Sequence, residues 1–273
     1  MLRVLAVDWS GSMHGSQRRT WLAEACVPGR LVRLEGGWSR AALATEFTRV
    51  DQRSVIGLDF AFAFPAWFMR QLGCDTAHQL WQCAAERGEE WLARCESPFW
   101  GRPGRPRPVH EQAAFRQTEL AVPRIAGIAP KSAFQVGGSG SVGTGSIRGM
   151  PLLLALHQAG ASIWPFDPPH WPIVLEIYPR LLTGPVNKSS ASARRTLLAA
   201  RFPRLAPEHV ERASASEDAF DAAVSALVMI EHAADLSSLP AASDPLTRLE
   251  GRIWHPGWRV HPGGQAEVRL PVG

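Results

Sequence analysis

Residues 3–8 read RVLAVD and residues 55–59 read VIGLD, and these two stretches decide the fold. Each is a short apolar run rich in valine, isoleucine or leucine, which predicts a buried strand. Each run ends in a carboxylate, Asp8 or Asp59, whose charge is costly to bury without a partner. The repeated theme predicts two strands that deliver their acids to one edge of a sheet.

The chain between these two runs predicts how the strands are arranged. It contains two further strands, joined at Pro28-Gly29 into a hairpin, and then a helix over 41–50. A strand that follows a crossover helix normally lies parallel to an earlier strand, and often beside it. The order strand, strand, strand, helix, strand therefore predicts a mixed α/β sheet flanked by helices, with Asp8 and Asp59 adjacent.

The composition is that of a globular protein with a sizeable core, since 45 % of the 273 residues are hydrophobic and 20 % are charged. The formal net charge of +4 permits contact with phosphate without demanding it. The four cysteines fit no zinc motif and are expected to be reduced thiols. Without a secretory signal or an apolar run of roughly 20 residues, we expect a cytoplasmic protein with no membrane contact. The oligomeric state stays open.

We expect a single domain over residues 1–273. Its middle, residues 66–130, predicts a tryptophan-rich insertion of helices and loops, including a proline-, glycine- and arginine-rich loop at 97–108. Weak periodicity predicts an irregular C-terminal extension over 236–273, with a short strand near Ile253.

Acids at strand ends and helix starts are the candidate metal ligands. Asp218 and Asp221 lie at positions i and i+3 of a helix that Ser216 can cap, so their side chains share one face. The helix dipole explains Asp218, but Asp221 is further in, and the small alanines after it would let the helix approach a sheet closely. Carboxylates are ligands that Mg²⁺ and Mn²⁺ prefer. The candidate metal ligands are Asp8, Asp59, Asp218, Asp221 and Glu176.

Glu176 lies inside the predicted strand VLEIYP, where two roles stay open. Arg180 or Arg148 could neutralise it in a structural ion pair, or it could lie beside the metal. Three histidines have no metal-ligand spacing and are expected to pack in the core or lie on the surface: His157, His170 and His232.

Residues 136–150 read VGGSGSVGTGSIRGM and predict a glycine- and serine-rich loop before a helix that starts at Pro151. Backbone amides of the loop could cradle phosphate, the loop could be a flap over the site, or it could be a linker. It matches neither the P-loop nor the dinucleotide-binding fingerprint. The candidate phosphate-binding residues are Ser10, Gly138, Arg148 and Arg180.

Six separated motifs resemble a bacterial domain-of-unknown-function family, number four-twenty-nine, whose members are described as predicted nucleases. The motifs are VDWSGS, IGLDFAFAFP, KSAFQVGGSGSVGTGSIRGMPLL, WPFD, LEIYPR and SEDAFDAAVSAL, and the resemblance extends to about residue 234. It implies a ribonuclease H-like fold, which agrees with the predicted strand order. It brings no known substrate.

A looser similarity links the last strong helix to Holliday-junction resolvases. Their metal-binding acids include an Asp-x-x-Asp-Ala sequence that opens a C-terminal helix, an acid on the first strand and an acid after the fourth. This similarity implies metal-binding roles for Asp8, Asp59, Asp218 and Asp221. The chain departs from the resolvases in having Asp59 where they have glutamate, in its central insertion and in the additional Glu176.

Three functions are compatible with these residues. The leading hypothesis is hydrolysis of a nucleic acid by two Mg²⁺ or Mn²⁺ ions held by the aspartates, with Lys131 or Arg180 offsetting charge on the phosphorane. The second is a nucleotide-binding phosphotransferase or ATPase, because sugar kinases and actin-like ATPases also place Asp and a Gly/Ser turn after the first strand. The third is a non-catalytic binding module with structural acids and a tryptophan-rich partner surface.

Overall fold

The computed structural model describes residues 1–50, 53–109, 112–138 and 140–259. They form a mixed sheet of seven strands flanked by helices. The strands are β1 (Arg3–Asp8), β2 (Trp21–Cys26), β3 (Arg30–Gly36), β4 (Ser54–Leu58), β5 (Ser162–Trp164), β6 (Ile173–Ile177) and β7 (Ile253–Trp254). The helices are α1 (Arg40–Thr48), α2 (Ala66–Gln71), α3 (Ala77–Arg94), α4 (Gln117–Ala121), α5 (Gly143–Gln158), α6 (Pro179–Thr183), α7 (Ala191–Arg201), α8 (Pro207–Ala215), α9 (Glu217–Glu231), α10 (Ala233–Leu236) and α11 (Pro245–Glu250). None of the described helices has both the length and the apolar character needed to cross a membrane.

The strand order is β3-β2-β1-β4-β6-β5, with β7 paired to the end of β6. β2 is antiparallel to β1 and β3, whereas β4 is parallel to β1 and β6 is parallel to β4. Val7 pairs with Leu58, and the Asp59 amide donates to the Val7 carbonyl at 3.2 Å. The prediction that Asp8 and Asp59 follow neighbouring parallel strands is therefore confirmed.

The two faces of the sheet carry separate hydrophobic clusters, because successive strand side chains point to opposite faces. Leu5 and Val7 of β1 join the cluster beneath α3 and α5. Val4 and Ala6 join the cluster beneath α9. Burying one such leucine or valine side chain stabilises the fold by about 1.5–3 kcal/mol. The sheet therefore holds α5 and α9 on opposite sides of the edge where Asp8 lies.

Small residues let α9 approach the sheet closely. Ala222 and Ala223 are buried in the helix, which packs on β1 and β2. Across from it, a Cβ added to Gly57 of β4 would lie only 2.7 Å from the Met229 sulfur. Glycine at 57 thus makes room for α9 and fixes the helix against the strands. Ser216 caps its first turn by accepting from the Ala219 amide at 3.0 Å, as the sequence predicts.

The prediction of a glycine-rich loop over residues 136–150 is wrong for its second half. The helix α5 begins at Gly143, eight residues before the predicted start, and contains Pro151. The glycines serve helix packing: a Cβ on Gly149 would lie 2.5 Å from the ring of Phe60. Glycine is costly in an isolated helix, but tertiary packing overrides that propensity here.

The C-terminal extension needs a similar correction. Its described part, residues 236–259, contains α11 and the predicted short strand at Ile253, which is β7. Glu250, at the end of α11, accepts the amides of Ala66 at 2.7 Å and Gln117 at 2.7 Å, so this segment holds the insertion in place. The rest of the predicted extension, 260–273, lies outside the described residues.

Candidate metal centre

Four aspartates meet at the carboxyl edge of the sheet. Asp8 ends β1, Asp59 follows β4, and Asp218 and Asp221 lie in the first two turns of α9. Burial raises the pKa of Asp8 well above its usual value, and the other three carboxylates raise it further. Burial raises the pKa of Asp59 to about 8, and the charge of Asp221 is the next contribution. The charges of Asp59, Asp218 and Asp221 all act on Asp8, so the four acids share one neighbourhood at this edge.

The segment after Asp59 is held from two sides. The Ala61 amide donates to the Ser146 hydroxyl of α5 at 3.0 Å, and the Phe62 amide donates to Glu176 of β6 at 3.0 Å. Both acceptors are buried. The backbone that carries Asp59 is therefore fixed by α5 and by the neighbouring strand.

Asp221 has one partnered and one unpartnered oxygen. Its Oδ2 accepts from the Lys188 ammonium, whereas its Oδ1 is buried and has no hydrogen-bond partner among the described residues. A buried acceptor left unpaired costs about 1–3 kcal/mol, and more when it is charged. Burial raises the pKa of Asp221, although Lys188 opposes this. Within the same part of the chain, Asp8 and Asp59 form no side-chain hydrogen bond or ion pair.

The chemistry of this donor set, oxygen alone, is of the kind that hard divalent cations prefer. Lys188 lowers the pKa of all four carboxylates, and Arg180 and Arg19 lower those of Asp221 and Asp218 respectively. The acids offer only oxygen ligands, which Mg²⁺ and Mn²⁺ prefer. Among the described residues, the aspartate oxygens do not form a group of three within 4.8 Å of one another. Oxygens bound to one Mg²⁺ at about 2.1 Å lie no more than about 4.2 Å apart, so the aspartates as placed do not form a ready-made site of three direct ligands.

Lys188 is the cation of this site, and sequence reasoning missed it. It lies in the loop between α6 and α7, where the buried Arg194 donates to its carbonyl and to the Ser214 carbonyl. These bonds fix the loop and so direct the ammonium toward Asp221. The sequence did contain a signal for it. The chain has 29 lysines and arginines together, and the two that are lysines, Lys131 and Lys188, stand out from the arginines.

Of the two residues predicted to offset phosphate charge, Lys131 is exposed and Arg180 is hydrogen-bonded to backbone carbonyls. Lys131 lies beside Gly140. The lysine whose charge lowers the pKa of Asp8 and Asp59 most is Lys188. Arg180 lies near enough to lower the pKa of the buried Asp221, but its guanidinium also donates to the carbonyls of Gly184 and Val186. Arg180 therefore acts on Asp221 through its charge while its guanidinium is held by backbone carbonyls.

The other candidate phosphate-binding residues do not form a cradle. Arg148 makes a two-bond ion pair with Glu89 and donates to the Gly11 carbonyl at 2.6 Å. A Cβ on Gly11 would lie 2.3 Å from the Gly145 amide nitrogen, so the turn after β1 is packed directly on the start of α5.

Ser10 and Gly138 have local roles. The Ser10 hydroxyl accepts from the Ser12 amide at 3.3 Å, within its own turn. Gly138 is exposed, and its φ of 80° is the left-handed conformation that favours glycine. The glycine at 138 is therefore explained by the shape of the turn.

Glu176 is an ion-pair residue, which corrects its prediction as a metal ligand. Its two oxygens accept from the Arg116 guanidinium at 2.6 and 2.8 Å, and one also accepts the Phe62 amide. Arg116 belongs to the insertion and pairs with Glu119 as well. Both partners are almost completely buried, so Glu176 has no oxygen free for a metal ion. The predicted partners, Arg148 and Arg180, do not bind it.

Comparison of the chain with models of known protein families, with curated proteins and with solved structures finds no match. The resemblance to family four-twenty-nine and the similarity to junction resolvases therefore rest on the motifs that carry them. A function can be proposed from the carboxylate centre and its position on the sheet.

Proposed function

We propose that this chain is a divalent-metal-dependent nuclease of the ribonuclease H-like type, which hydrolyses phosphodiester bonds in a nucleic acid. The observation that carries the proposal is the buried, unpartnered Oδ1 of Asp221, in a site where Asp8 and Asp59 also lack cationic partners among the described residues. A strand order of β3-β2-β1-β4 with acids after β1 and β4 and on a packed helix agrees with the fold type that the sequence motifs imply.

The aspartates supply the charge that holds the cation. Bound Mg²⁺ or Mn²⁺ would lower the pKa of a water nucleophile and stabilise charge on the leaving oxygen. Asp8 and Asp59 extend from fixed strand ends, and Asp221 extends from a helix that is buried along almost its whole length. The three carboxylates come from rigid elements, so side-chain rotation and bridging water would have to complete the ligand set of a shared ion.

In this proposal the Lys188 ammonium acts in two states of the site, without and with a metal ion. Without metal, its ammonium balances Asp221. If a metal ion took over Asp221, the same ammonium would be free to bind an oxygen of the substrate phosphate, the role that the sequence predicted for Lys131 or Arg180. A lysine on a loop between α6 and α7 can make this small movement because its stem has four rotatable carbons.

Metal binding should also release protons. With its pKa near 8, Asp59 holds a proton at neutral pH in the metal-free chain. A coordinating carboxylate must be deprotonated, so the ion displaces that proton. Calorimetric titration with Mn²⁺ at pH 7 in buffers of different ionisation enthalpy measures the number released, and Asp59→Asn should lower it.

The direct test combines metal binding with cleavage. Wild type, Asp8→Asn, Asp221→Asn and a control, Glu217→Gln, are titrated with Mn²⁺ and assayed on labelled single-stranded DNA, duplex DNA, RNA and four-way junctions. Glu217 is exposed at the start of α9 and is the matched acid outside the cluster. We expect metal-dependent cleavage by wild type and Glu217→Gln, and a loss on the order of 100-fold or more in the two aspartate variants.

Thermal stabilisation by Mn²⁺ gives a readout that does not depend on finding the substrate. It should be present in wild type and absent in Asp221→Asn. A folded Asp221→Asn protein that keeps both its Mn²⁺ stabilisation and its cleavage would refute the proposal.

A further inference from the structure

Two histidines and an aspartate converge away from the carboxylate centre. His78 lies in the first turn of α3, His157 in the last turn of α5, and Asp167 three residues after β5. His78 Nε2 is 2.9 Å from Asp167 Oδ1, and His157 Nδ1 is 3.1 Å from Asp167 Oδ2. Within the described residues this is the one group in which three such ligand atoms lie within 4.8 Å of one another.

The surroundings of the three residues suit ligands that are fixed in place. Asp167 is buried, and the Ile163 amide donates to its Oδ2 at 2.8 Å. Burial opposes ionisation of Asp167, but hydrogen bonds from His78 and Ile163 outweigh it and place the pKa below its usual value. The indole of Trp81 packs edge-on against His78, with ring centres 4.9 Å apart.

Access to the cluster comes from the solvent side. The side chains of His78 and His157 are 30 % and 38 % exposed, whereas that of Asp167 is 10 % exposed. An ion and one water ligand can therefore reach the nitrogens from solvent, with the carboxylate behind them.

We propose that His78, His157 and Asp167 form a second metal site, which binds Zn²⁺. Imidazole nitrogens together with a carboxylate are typical Zn²⁺ ligands, whereas Mg²⁺ prefers oxygen alone. Bonds of about 2.0 Å in tetrahedral geometry set ligand atoms about 3.3 Å apart. His78 is 2.9 Å from one Asp167 oxygen and His157 is 3.1 Å from the other, and one ligand atom from each of the three residues lies within 4.8 Å of the other two, so small side-chain rotations bring them to this spacing. Three protein ligands leave the fourth position for water.

This site is separate from the carboxylate centre, and its function would be structural. The Gly145 carbonyl, near the start of α5, accepts from the Trp9 indole beside Asp8. His157 lies twelve residues further along the same helix, which is roughly 18 Å at 1.5 Å per residue. Zinc would tie α3 of the insertion to α5 and to the turn after β5, and so anchor the insertion to the sheet.

Zinc binding to the metal-free full-length chain tests the proposal. Wild type, His157→Gln, Asp167→Asn and His170→Ala are titrated with Zn²⁺ alone by calorimetry and by thermal shift. His170 is exposed, and its hydrogen bonds within the described part of the chain go to the carbonyls of Pro168 and Gly160, so it is the matched control. We expect one Zn²⁺ per chain in wild type and His170→Ala, and affinity lower by about 100-fold or more in the other two. His157→Gln, at a partly exposed position, keeps the test valid if Asp167→Asn does not fold.

The thiols are the competing ligands, because Cys83 is close enough to hydrogen-bond the Cys74 thiol. X-ray absorption of the zinc-loaded chain should show nitrogen and oxygen near 2.0 Å and no sulfur near 2.3 Å. Asp8→Asn should keep its zinc, which separates this site from the carboxylate centre. The proposal is wrong if Cys83→Ser abolishes zinc binding while His157→Gln retains it, or if wild type binds no zinc.

Discussion

The Lys188 ammonium binds one carboxylate oxygen of Asp221, and the other oxygen of that carboxylate is buried without a partner among the residues described. Lys188 therefore satisfies only one of the two oxygens of the Asp221 carboxylate. Under the proposed function, Lys188 is the cation that balances Asp221 when no metal ion is bound, and this role can be tested.

Replacing Lys188 with methionine should destabilise the metal-free chain and increase its response to metal. Loss of a charged hydrogen bond lowers the free energy of unfolding by about 1.5–3 kcal/mol. Mn²⁺ should recover most of this loss, because the ion supplies the missing positive charge. Urea denaturation in EDTA and in Mn²⁺ measures both effects. Lys131→Met is the matched control, and an equal metal response in the two variants would contradict the assigned role.

The stability of the metal-free chain should fall as pH rises from about 5 to 8. The folded pKa of Asp59, about 8, lies above its usual value of 3.8 because of burial. Its contribution to stability is therefore fully present below pH 3.8 and is lost as pH rises through 8. Relative to Asp59→Asn, the wild-type free energy of unfolding should decrease over this range in EDTA. At pH 8, Mn²⁺ should reverse the decrease, and a pH-independent difference between the two proteins would exclude this explanation.

The sheet edge could be predicted because its determinants are local. A short apolar run followed by an acid indicates a strand and its end, and the crossover rule then places Asp8 beside Asp59. The position of Asp221 was also predictable, since helical periodicity puts it on the face of Asp218 and small alanines follow it. These inferences need no knowledge of distant segments.

The remaining features depend on contacts between distant segments. Arg116 reaches Glu176 across 60 residues of chain, and Lys188 reaches Asp221 across 33. His78 and His157 likewise meet only in the fold, so their sequence spacing carried no metal-site signal. The low helix propensity of glycine predicted a loop over residues 143–150, whereas close packing of Gly149 on Phe60 is part of a helix there.

Replacing Arg116 with methionine should lower the free energy of unfolding by about 3–5 kcal/mol, because it leaves buried carboxylates without a cation. Arg116 and Glu176 are almost completely buried, and the burial that opposes ionisation of Arg116 is outweighed by its two glutamates, which raise its pKa. Adding Glu176→Gln to the variant should restore part of the stability. Arg195→Met, in an exposed pair with Glu211, should cost less than about 1 kcal/mol. Urea denaturation measures all four proteins, and equal losses in the two single arginine variants would contradict the stabilising role of the buried Arg116–Glu176 pair.

Two alanine substitutions in α5 test whether its glycines serve packing. In Gly149→Ala the new Cβ lies 2.5 Å from Phe60, so overpacking should cost about 1–3 kcal/mol. In Gly145→Ala the nearest atom, on Trp9, is 3.5 Å away, and the gain in helix propensity should leave stability unchanged or raise it by up to about 1 kcal/mol. Because Phe60 follows Asp59, Gly149→Ala should also weaken Mn²⁺ binding, whereas Gly145→Ala should not. Thermal denaturation and Mn²⁺ titration of both variants check this, and equal behaviour would mean that α5 does not position Asp59.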